Sequence, residues 1–232
     1  MKDERDGETR GLGDGEKEPL APSPRLPVSQ SAFQGCGALA MSTNPTNGEL
    51  SGLIQEMKAV ADDARRAFGG LTPQQLNWKP SAEQWSVGQC FEHLMKTNEP
   101  YVPVLEEVAG GGRRPRALER LSPLSGFWGR MVLRAVAPES ARRLKARPGF
   151  QPSSSAVDPQ VVERFADLQY RLADLMGRTA GAGPEKVIIT SPILGFVTYS
   201  LLDAYRIITS HGRRHLAQAR RVTEAEAFPR QP

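Results

Sequence analysis

The chain has 232 residues, of which 39% are hydrophobic and 24% charged, and its formal net charge is +4. This length fits one large domain, or one medium domain with a tail. The hydrophobic share is low for a globular chain, so either the core is thin or part of the chain does not fold. No run approaches about 18 apolar residues, so we expect no transmembrane helix and predict no membrane partner.

Residues 1–44 are predicted to form a disordered N-terminal extension. The first 40 carry five basic and seven acidic residues among many Gly, Pro and Ser, without apolar periodicity. Such a segment cannot bury enough apolar surface to offset its ordering entropy. It also lacks the basic start and apolar stretch of a signal peptide. Met41 is followed by STNPTNGEL and then by the first predicted helix, which makes Met41 a candidate natural start.

The cysteine count and the charge distribution limit the classes of protein. Two cysteines, Cys36 and Cys90, cannot build a disulfide framework, so a reducing, cytoplasmic location is expected. The net charge is −2 over residues 1–40 and +6 over residues 41–232. This mildly basic balance is weak evidence for an anionic partner and is also normal for a solvated surface.

The first predicted helix covers about residues 49–68. Thr46-Asn47-Gly48-Glu49 has the form of a capping box, and Gly69-Gly70 ends the helix. Between them, apolar residues recur every three or four positions. These residues are Leu50, Leu53, Ile54, Met57, Val60, Ala61, Ala64, Ala67 and Phe68. Thr72-Pro73 then opens a linker or a short helical turn.

The second predicted helix runs from about 87 to 107. Ser86 and Gln89 form a second capping box at its start. Pro100 and Pro103 should kink or break this helix near its middle, because proline lacks the N–H that the helix needs.

Residues 109–158 read as a long crossover. They are rich in Gly, Pro and Arg, with one short amphipathic helix predicted between Phe127 and Val136. The segment is too long for a tight turn between neighbouring helices, so a connection across the end of a bundle suits it better.

Two further helices complete the fold. Asp158 and Pro159 are predicted as the N-cap and first residue of the third helix, which ends near Gly177–Gly181. Residues 187–196 read as an extended, partly buried loop, and no strand pattern is strong enough to predict a sheet. A fourth helix covers about 198–222. We therefore predict an all-α four-helix bundle over residues 45–225, with a long crossover between helices 2 and 3, and a C-terminal tail over 226–232.

The three histidines of the chain are His93, His211 and His215. His211 and His215 are four residues apart on the fourth helix, so their side chains point about 40° apart and can grip one cation. They fall on its apolar face, where an unpaired imidazole is costly and a metal accepts neutral imidazole. His93 on the second helix can face the same interior, and three histidines with an open fourth position are typical of catalytic zinc sites.

Other residues are weaker candidates. Cys90 and Gln218 lie near the histidines and are possible outer ligands, although a buried structural cysteine and ordinary polar packing explain them as well. Trp78 and Trp85 are expected to cap the core rather than to stack on a substrate. Arg213 and Arg214 are expected to be solvated or salt-bridged.

A basic set in the crossover could bind nucleic acid. It comprises Arg113, Arg114, Arg116, Arg142, Arg143, Lys145 and Arg147. It lacks interleaved aromatic residues and a known nucleic-acid motif, so we interpret it as a solvated loop and predict no nucleic-acid partner.

The chain resembles the DinB-like (YfiT-like) metalloenzyme superfamily over about residues 45–225. That family has a W-x-P…W-S-x-x-x-x-x-x-H block followed by an H-x-x-R-H-x-x-Q ending. The matching residues are Trp78, Pro80, Trp85, Ser86, His93, His211, Arg214, His215 and Gln218. The resemblance implies a four-helix bundle with a long crossover and a three-histidine site for a divalent metal, zinc or nickel.

The resemblance also implies a function, because some members are thiol-dependent transferases or isomerases. Helix geometry separately disfavours hydrolysis, which needs a general base, because Glu92 points about 100° away from His93. We therefore expect a transferase that uses a small-molecule substrate, with a low-molecular-weight thiol as one candidate, and keep a metal-dependent hydrolase as the alternative enzyme. The alternatives are a non-catalytic metal-binding or stress-related interaction protein and a bundle without metal. A homodimer is compatible with the fold.

Overall fold

The computed structural model describes residues 45–138, 148–153 and 156–230, so the predicted extension over 1–44 lies outside the described residues. Helices dominate this part of the chain, and one small hairpin joins two of them. The helices are α1 (Pro45–Phe68), α2 (Pro73–Asn77), α3 (Val87–Asn98), α4 (Tyr101–Ala109), α5 (Ala117–Arg120), α6 (Ser125–Val136), α7 (Val161–Arg178) and α8 (Leu201–Thr223). The strands are β1 (Ile188–Thr190) and β2 (Thr198–Ser200).

Four helices form the bundle. Helix α1 packs against α7 and α8, and α3 packs against the same two helices, so the four close into a square. Helix α4 follows α3 after two residues and packs on α7. The predicted all-α fold, with its long crossover between the second and third bundle helices, is confirmed.

The start and the break of the second predicted helix are also as expected. The Ser86 hydroxyl accepts the Gln89 N–H, and the Gln89 side-chain oxygen accepts the Ser86 N–H, each at 3.1 Å. This reciprocal capping box fixes the point where α3 begins. The helix ends at Asn98, and α4 starts at Tyr101 after Pro100.

The other two predicted caps are displaced. Helix α1 begins at Pro45, so Thr46 lies inside its first turn, and the Glu49 carboxylate pairs instead with Arg206 at 2.7 Å. Helix α7 begins at Val161, two residues after Pro159. The Asp158 carboxylate nevertheless accepts the Gln160 N–H at 2.8 Å, because a tight turn precedes the regular helix.

The prediction of no strands is wrong at one place. Ile188–Thr190 pairs antiparallel with Thr198–Ser200, with Ile189 opposite Tyr199. The Ser191 hydroxyl accepts two backbone N–H groups of the turn, and Gly195 takes a positive φ of 70° to close it. Strands of three residues are too short to display the alternation from which a strand is predicted.

Contacts with α8 and with the hairpin attach the first half of the crossover to the bundle. Its amphipathic helix, α6, packs on α8 through partly buried Trp128, Val132, Leu133 and Val136. Before it, Arg113 forms a buried ion pair with Glu119 at 2.6 Å, and Glu119 also accepts the Thr190 N–H of β1 at 2.7 Å. The crossover is therefore tied to both α8 and the hairpin.

The region predicted as a C-terminal tail, residues 226–232, begins two residues before a core side chain. Phe228 is buried, and its ring meets that of Trp78 edge-on at 5.5 Å. Gln75 donates to the carbonyl of Pro229 at 2.8 Å, so this part of the tail is attached to the bundle.

Within the described part of the chain, every helix is too short or too polar to cross a bilayer.

Candidate metal centre

The imidazoles of His93, His211 and His215 meet inside the bundle. The Nε2 atom of His211 lies 3.3 Å from that of His93 and 3.1 Å from that of His215. One ring nitrogen from each of the three lies within 4.8 Å of the others. The structure therefore brings together the three residues that the sequence predicts to share one site.

The bundle geometry places these rings. His211 and His215 occupy successive turns of α8, and α3, which carries His93, packs directly against α8. His93 and His215 are buried, while His211 is half-buried. The capping box at Ser86 fixes the start of α3, and His93 lies seven residues after it, on the side of α3 that faces α8.

The crossover orients the ring of His93. The Nδ1 atom of His93 lies 2.6 Å from the backbone carbonyl oxygen of Phe150. A carbonyl only accepts hydrogen bonds, so Nδ1 carries the proton and the lone pair of Nε2 faces the other histidines. This arrangement is the usual way in which a metal-binding histidine is held in the required tautomer.

Trp85 forms an aromatic wall of the site. Its ring stacks on that of His215, with centroids 5.6 Å apart and planes 17° apart, and it also meets His93 at 5.0 Å. It packs partly buried against the core, as the sequence predicts. Trp78 lies on the same core through its contact with Phe228. The wall of Trp85 restricts the access of water to two of the three imidazoles.

The environment keeps the three rings neutral. Burial, together with the neighbouring His93 and Arg214, lowers the pKa of His211 to about 3. Burial also lowers the pKa of His215 well below its ordinary value, and it lowers the pKa of His93, an effect that the Phe150 carbonyl opposes. Neutral imidazole is the form that binds a metal.

The hydrogen-bonding capacity of the rings leaves lone pairs that face one another. His93 presents an unprotonated Nε2, and His211 has one Nε2 that can donate to His93 or to His215 but not to both. In addition, the buried Nδ1 of His215 has no partner among the described residues. One cation at the convergence point would bind all three Nε2 lone pairs at once.

The separations fit metal coordination. Two nitrogens bound tetrahedrally at about 2.0–2.1 Å from zinc lie about 3.4 Å apart, and octahedral neighbours lie about 3.0 Å apart. The observed 3.1 and 3.3 Å fall between these values. The two separations that involve His211 therefore fit either geometry, and the ligand nitrogens of His93 and His215 lie within 4.8 Å of each other.

Cys90 and Gln218, the two candidate outer ligands, differ in their position relative to the histidines. Cys90 is fully buried in an apolar cluster with Phe91 and Leu94 and does not belong to the group of candidate ligands. Burial raises the pKa of its thiol to about 12. Gln218 lies beside His215, where its amide opposes the lowering of the histidine pKa without meeting the buried Nδ1 in hydrogen-bonding geometry.

The charged residues near the histidines have other partners. The Glu92 carboxylate accepts the backbone N–H of Ser153 at 2.7 Å and pairs with Lys96 at 3.1 Å. Arg213 is exposed and pairs with Glu56 at 2.9 Å. Arg214 donates to the carbonyls of Ala135 and Ala137, at 3.2 and 3.1 Å, which joins α8 to the end of α6.

Sequence reasoning missed two features of the site. The Phe150 carbonyl comes from a 3₁₀ turn, Pro148–Phe150, that no motif predicts, and a backbone atom leaves no signal in residue type. The contact of Trp85 with the imidazoles was also not foreseen, although the W-S…H spacing places it close to His93 along the chain.

Comparisons with known proteins identify the family. The model of the DinB superfamily matches residues 56–219. The uncharacterized protein YuaE of Bacillus subtilis (strain 168) is 24% identical over 155 residues, which cover 67% of this chain and 87% of YuaE. No solved structure matches the chain. Because the family match spans more than half of the chain and includes all three histidines, the chain belongs to the DinB superfamily.

Proposed function

We propose that this protein is a divalent-metal-dependent enzyme whose cation is held by His93, His211 and His215. The observation that carries the proposal is the convergence of three Nε2 atoms at 3.1 and 3.3 Å. Zinc and nickel are the proposed ions, because both are bound well by neutral imidazole. A cytoplasmic location stays a prediction.

The residues around the histidines would prepare the site. The Phe150 carbonyl holds the proton of His93 on Nδ1, and Trp85 covers the rings of His93 and His215. A divalent cation supplies Lewis-acid chemistry, which lowers the pKa of a water or thiol that binds to it. With three protein ligands, positions for such a molecule remain open.

We propose a thiol-dependent transferase rather than a hydrolase. Hydrolysis needs a general base, and Glu92, the carboxylate next to His93 in the chain, is held by Ser153 and Lys96. A thiol would itself be the nucleophile. Its S–H proton passes to solvent, its sulfur forms a C–S bond with the electrophile, and the leaving group departs with the electron pair of the broken bond.

Metal binding is the first test. Purified protein is stripped with chelator, then titrated with zinc and with nickel by calorimetry, and its native metal content is measured by elemental analysis. We expect one ion per chain. His211→Ala and His215→Ala should each weaken binding by more than about 100-fold, because loss of an outer partner alone costs about 10–100-fold.

Arg213→Ala is the matched control, since Arg213 lies between the two histidines of α8 but faces outward to Glu56. Its metal affinity should equal that of the unaltered protein. Unchanged affinity in both histidine variants would refute the assignment of the ligands.

Turnover is the second test. The loaded protein is incubated with low-molecular-weight thiols and with electrophiles such as epoxides and aryl halides, and product is followed by mass spectrometry. Activity that is lost in His215→Ala and kept in Arg213→Ala would support the transferase. Inactivity with every pair, despite tight metal binding, would favour the non-catalytic metal-binding protein.

A further inference from the structure

The crossover presents apolar side chains to solvent. We call the set the exposed crossover face, and it consists of Leu118, Leu121, Leu124, Phe127 and Met131. Leu121 is 81% exposed and Phe127 is 53% exposed. Contact of such large apolar side chains with water is unfavourable in free energy. These are most of the large apolar residues that are exposed in the described part of the chain, and they fall within fourteen consecutive positions. An apolar set of this kind marks a surface that binds something.

The geometry of α6 separates this face from the core-facing side. Trp128, Val132 and Leu133 turn inward to the bundle. Phe127 and Met131 lie on the opposite side, one turn apart, and Leu124 precedes them by one more turn. The outward residues are therefore additional to those that attach α6 to the bundle.

Exposed arginines share the same stretch. Arg130 and Arg134 continue the outward side of α6 beside Phe127 and Met131, and Arg120 precedes Leu121. No ion pair of these three arginines is found among the described residues. The only carboxylate between positions 113 and 137 is Glu119, which is buried and neutralised by Arg113. The face is thus apolar and cationic, without an exposed anion of its own.

We propose that the exposed crossover face binds the surface of anionic membranes. Leucine and phenylalanine side chains insert at the boundary between headgroups and acyl chains, while arginines bind lipid phosphates. The contact is peripheral and needs no spanning helix. The proposal is independent of the metal centre and differs from the sequence-based expectation of no membrane partner, which rested on spanning segments alone.

Charge favours this occupant over two others. A second copy docked on the same face would bring Arg130 and Arg134 close to the same arginines, which repel one another. A nucleic acid would neutralise the arginines but would leave Leu121 and Phe127 in water. An anionic bilayer is the partner that satisfies the apolar and the cationic side chains together.

The test is vesicle flotation with the full chain. Vesicles of phosphatidylcholine alone are compared with vesicles that contain about 30 mole percent phosphatidylglycerol, at low salt and at about 1 M salt. We expect binding to the anionic vesicles only, with a marked decrease at high salt.

Two double variants divide the contributions. Arg130→Gln with Arg134→Gln should weaken binding about 25-fold, or about fivefold per arginine. Leu121→Ser with Phe127→Ser should also abolish most binding while leaving the melting temperature unchanged, because both side chains are exposed. Arg171→Gln with Arg178→Gln, two exposed arginines of α7, removes the same charge elsewhere and should leave binding intact.

Several results would overturn the proposal. The first is absence of flotation with anionic vesicles. The second is binding that depends on the arginines but not on Leu121 and Phe127, which would indicate a polyanion such as nucleic acid. The third is a dimer in light scattering that the Leu121 and Phe127 double variant dissociates, which would assign the face to a second copy.

Discussion

Each imidazole of the centre is held by a different kind of contact. His93 is fixed by a backbone carbonyl, His215 by the stacked ring of Trp85, and His211 by its position between the other two. Cys90, only three residues before His93, faces instead into the apolar cluster. A rotation of about 60° around α3 therefore separates a polar site from a structural thiol.

At the level of single residues, we predict that the Cys90 thiol is inert in the folded protein. A pKa of about 12 lowers its thiolate fraction at pH 8 by about a thousandfold relative to an ordinary cysteine, and burial blocks access. In a Cys36→Ser background, an alkylating reagent should label Cys90 only after unfolding. A labelling rate of the native protein that equals the rate in denaturant would contradict this prediction.

The crossover is the element whose attachments matter most for the site. Its beginning is held by the buried Arg113–Glu119 pair, its middle by the Arg214 hydrogen bonds to Ala135 and Ala137, and its end by the contacts of Phe150 and Ser153 with α3. Glu119 uses both carboxylate oxygens, since it also accepts the backbone N–H groups of Arg116 and Thr190. This single side chain thus joins the crossover to the hairpin.

For this element, we predict that Glu119→Ala destabilises the protein by about 3 kcal/mol. The substitution leaves a buried guanidinium and two backbone N–H groups without their acceptor. The matched control is Glu106→Ala, which breaks an exposed pair of similar length with Arg171 and should cost less than about 1 kcal/mol. Chemical denaturation measures both, and equal losses would refute the distinction.

Across the whole molecule, the histidines lie between two apolar clusters. Helix α8 contributes Leu201–Ile208 to one cluster and Leu216–Val222 to the other, with His211 and His215 between them. The core is therefore interrupted by a layer of ionisable groups. That layer is stable only while the imidazoles stay neutral or bind a cation.

This arrangement predicts that the metal-free protein loses stability as the pH falls below about 6.5. The folded-state pKa values of the three histidines are lowered, so the unfolded chain binds more protons than the folded protein as the pH falls through 6.5. Each histidine contributes at most about 1.4 kcal/mol per pH unit. The loss is absent at about pH 7.5, where the unfolded imidazoles are also neutral, and it grows as the pH falls through 6.5. Thermal melting in chelator from pH 7.5 to 5.5 would check this.

His211→Gln should make this dependence shallower, because glutamine does not titrate. The range above pH 5.5 avoids most carboxylate titration. Two results would show that these histidines are not held neutral by the fold. One is a melting temperature that does not change between pH 7.5 and 5.5, and the other is a slope of melting temperature against pH that is equal in His211→Gln and in the unaltered protein.

Much of this organisation could be predicted from the sequence, for identifiable reasons. The helical spacing of His211 and His215 and the capping box at Ser86 are local patterns, and local patterns determine α3 and α8. The hairpin, the buried Glu119 and the position of Phe150 depend on contacts between distant segments. No residue type or spacing encodes such contacts directly, so the structure was required to find them.

The hydrogen bond from His93 to the Phe150 carbonyl has a consequence for how this site tolerates change. The acceptor is a backbone oxygen, so a substitution of the Phe150 side chain does not remove it. An alanine scan of the crossover would therefore not detect this contact. A deletion or an insertion beside position 150 would instead move the oxygen and free the ring of His93. The orientation of this histidine therefore depends more on the length of the crossover than on the identity of the side chain at position 150.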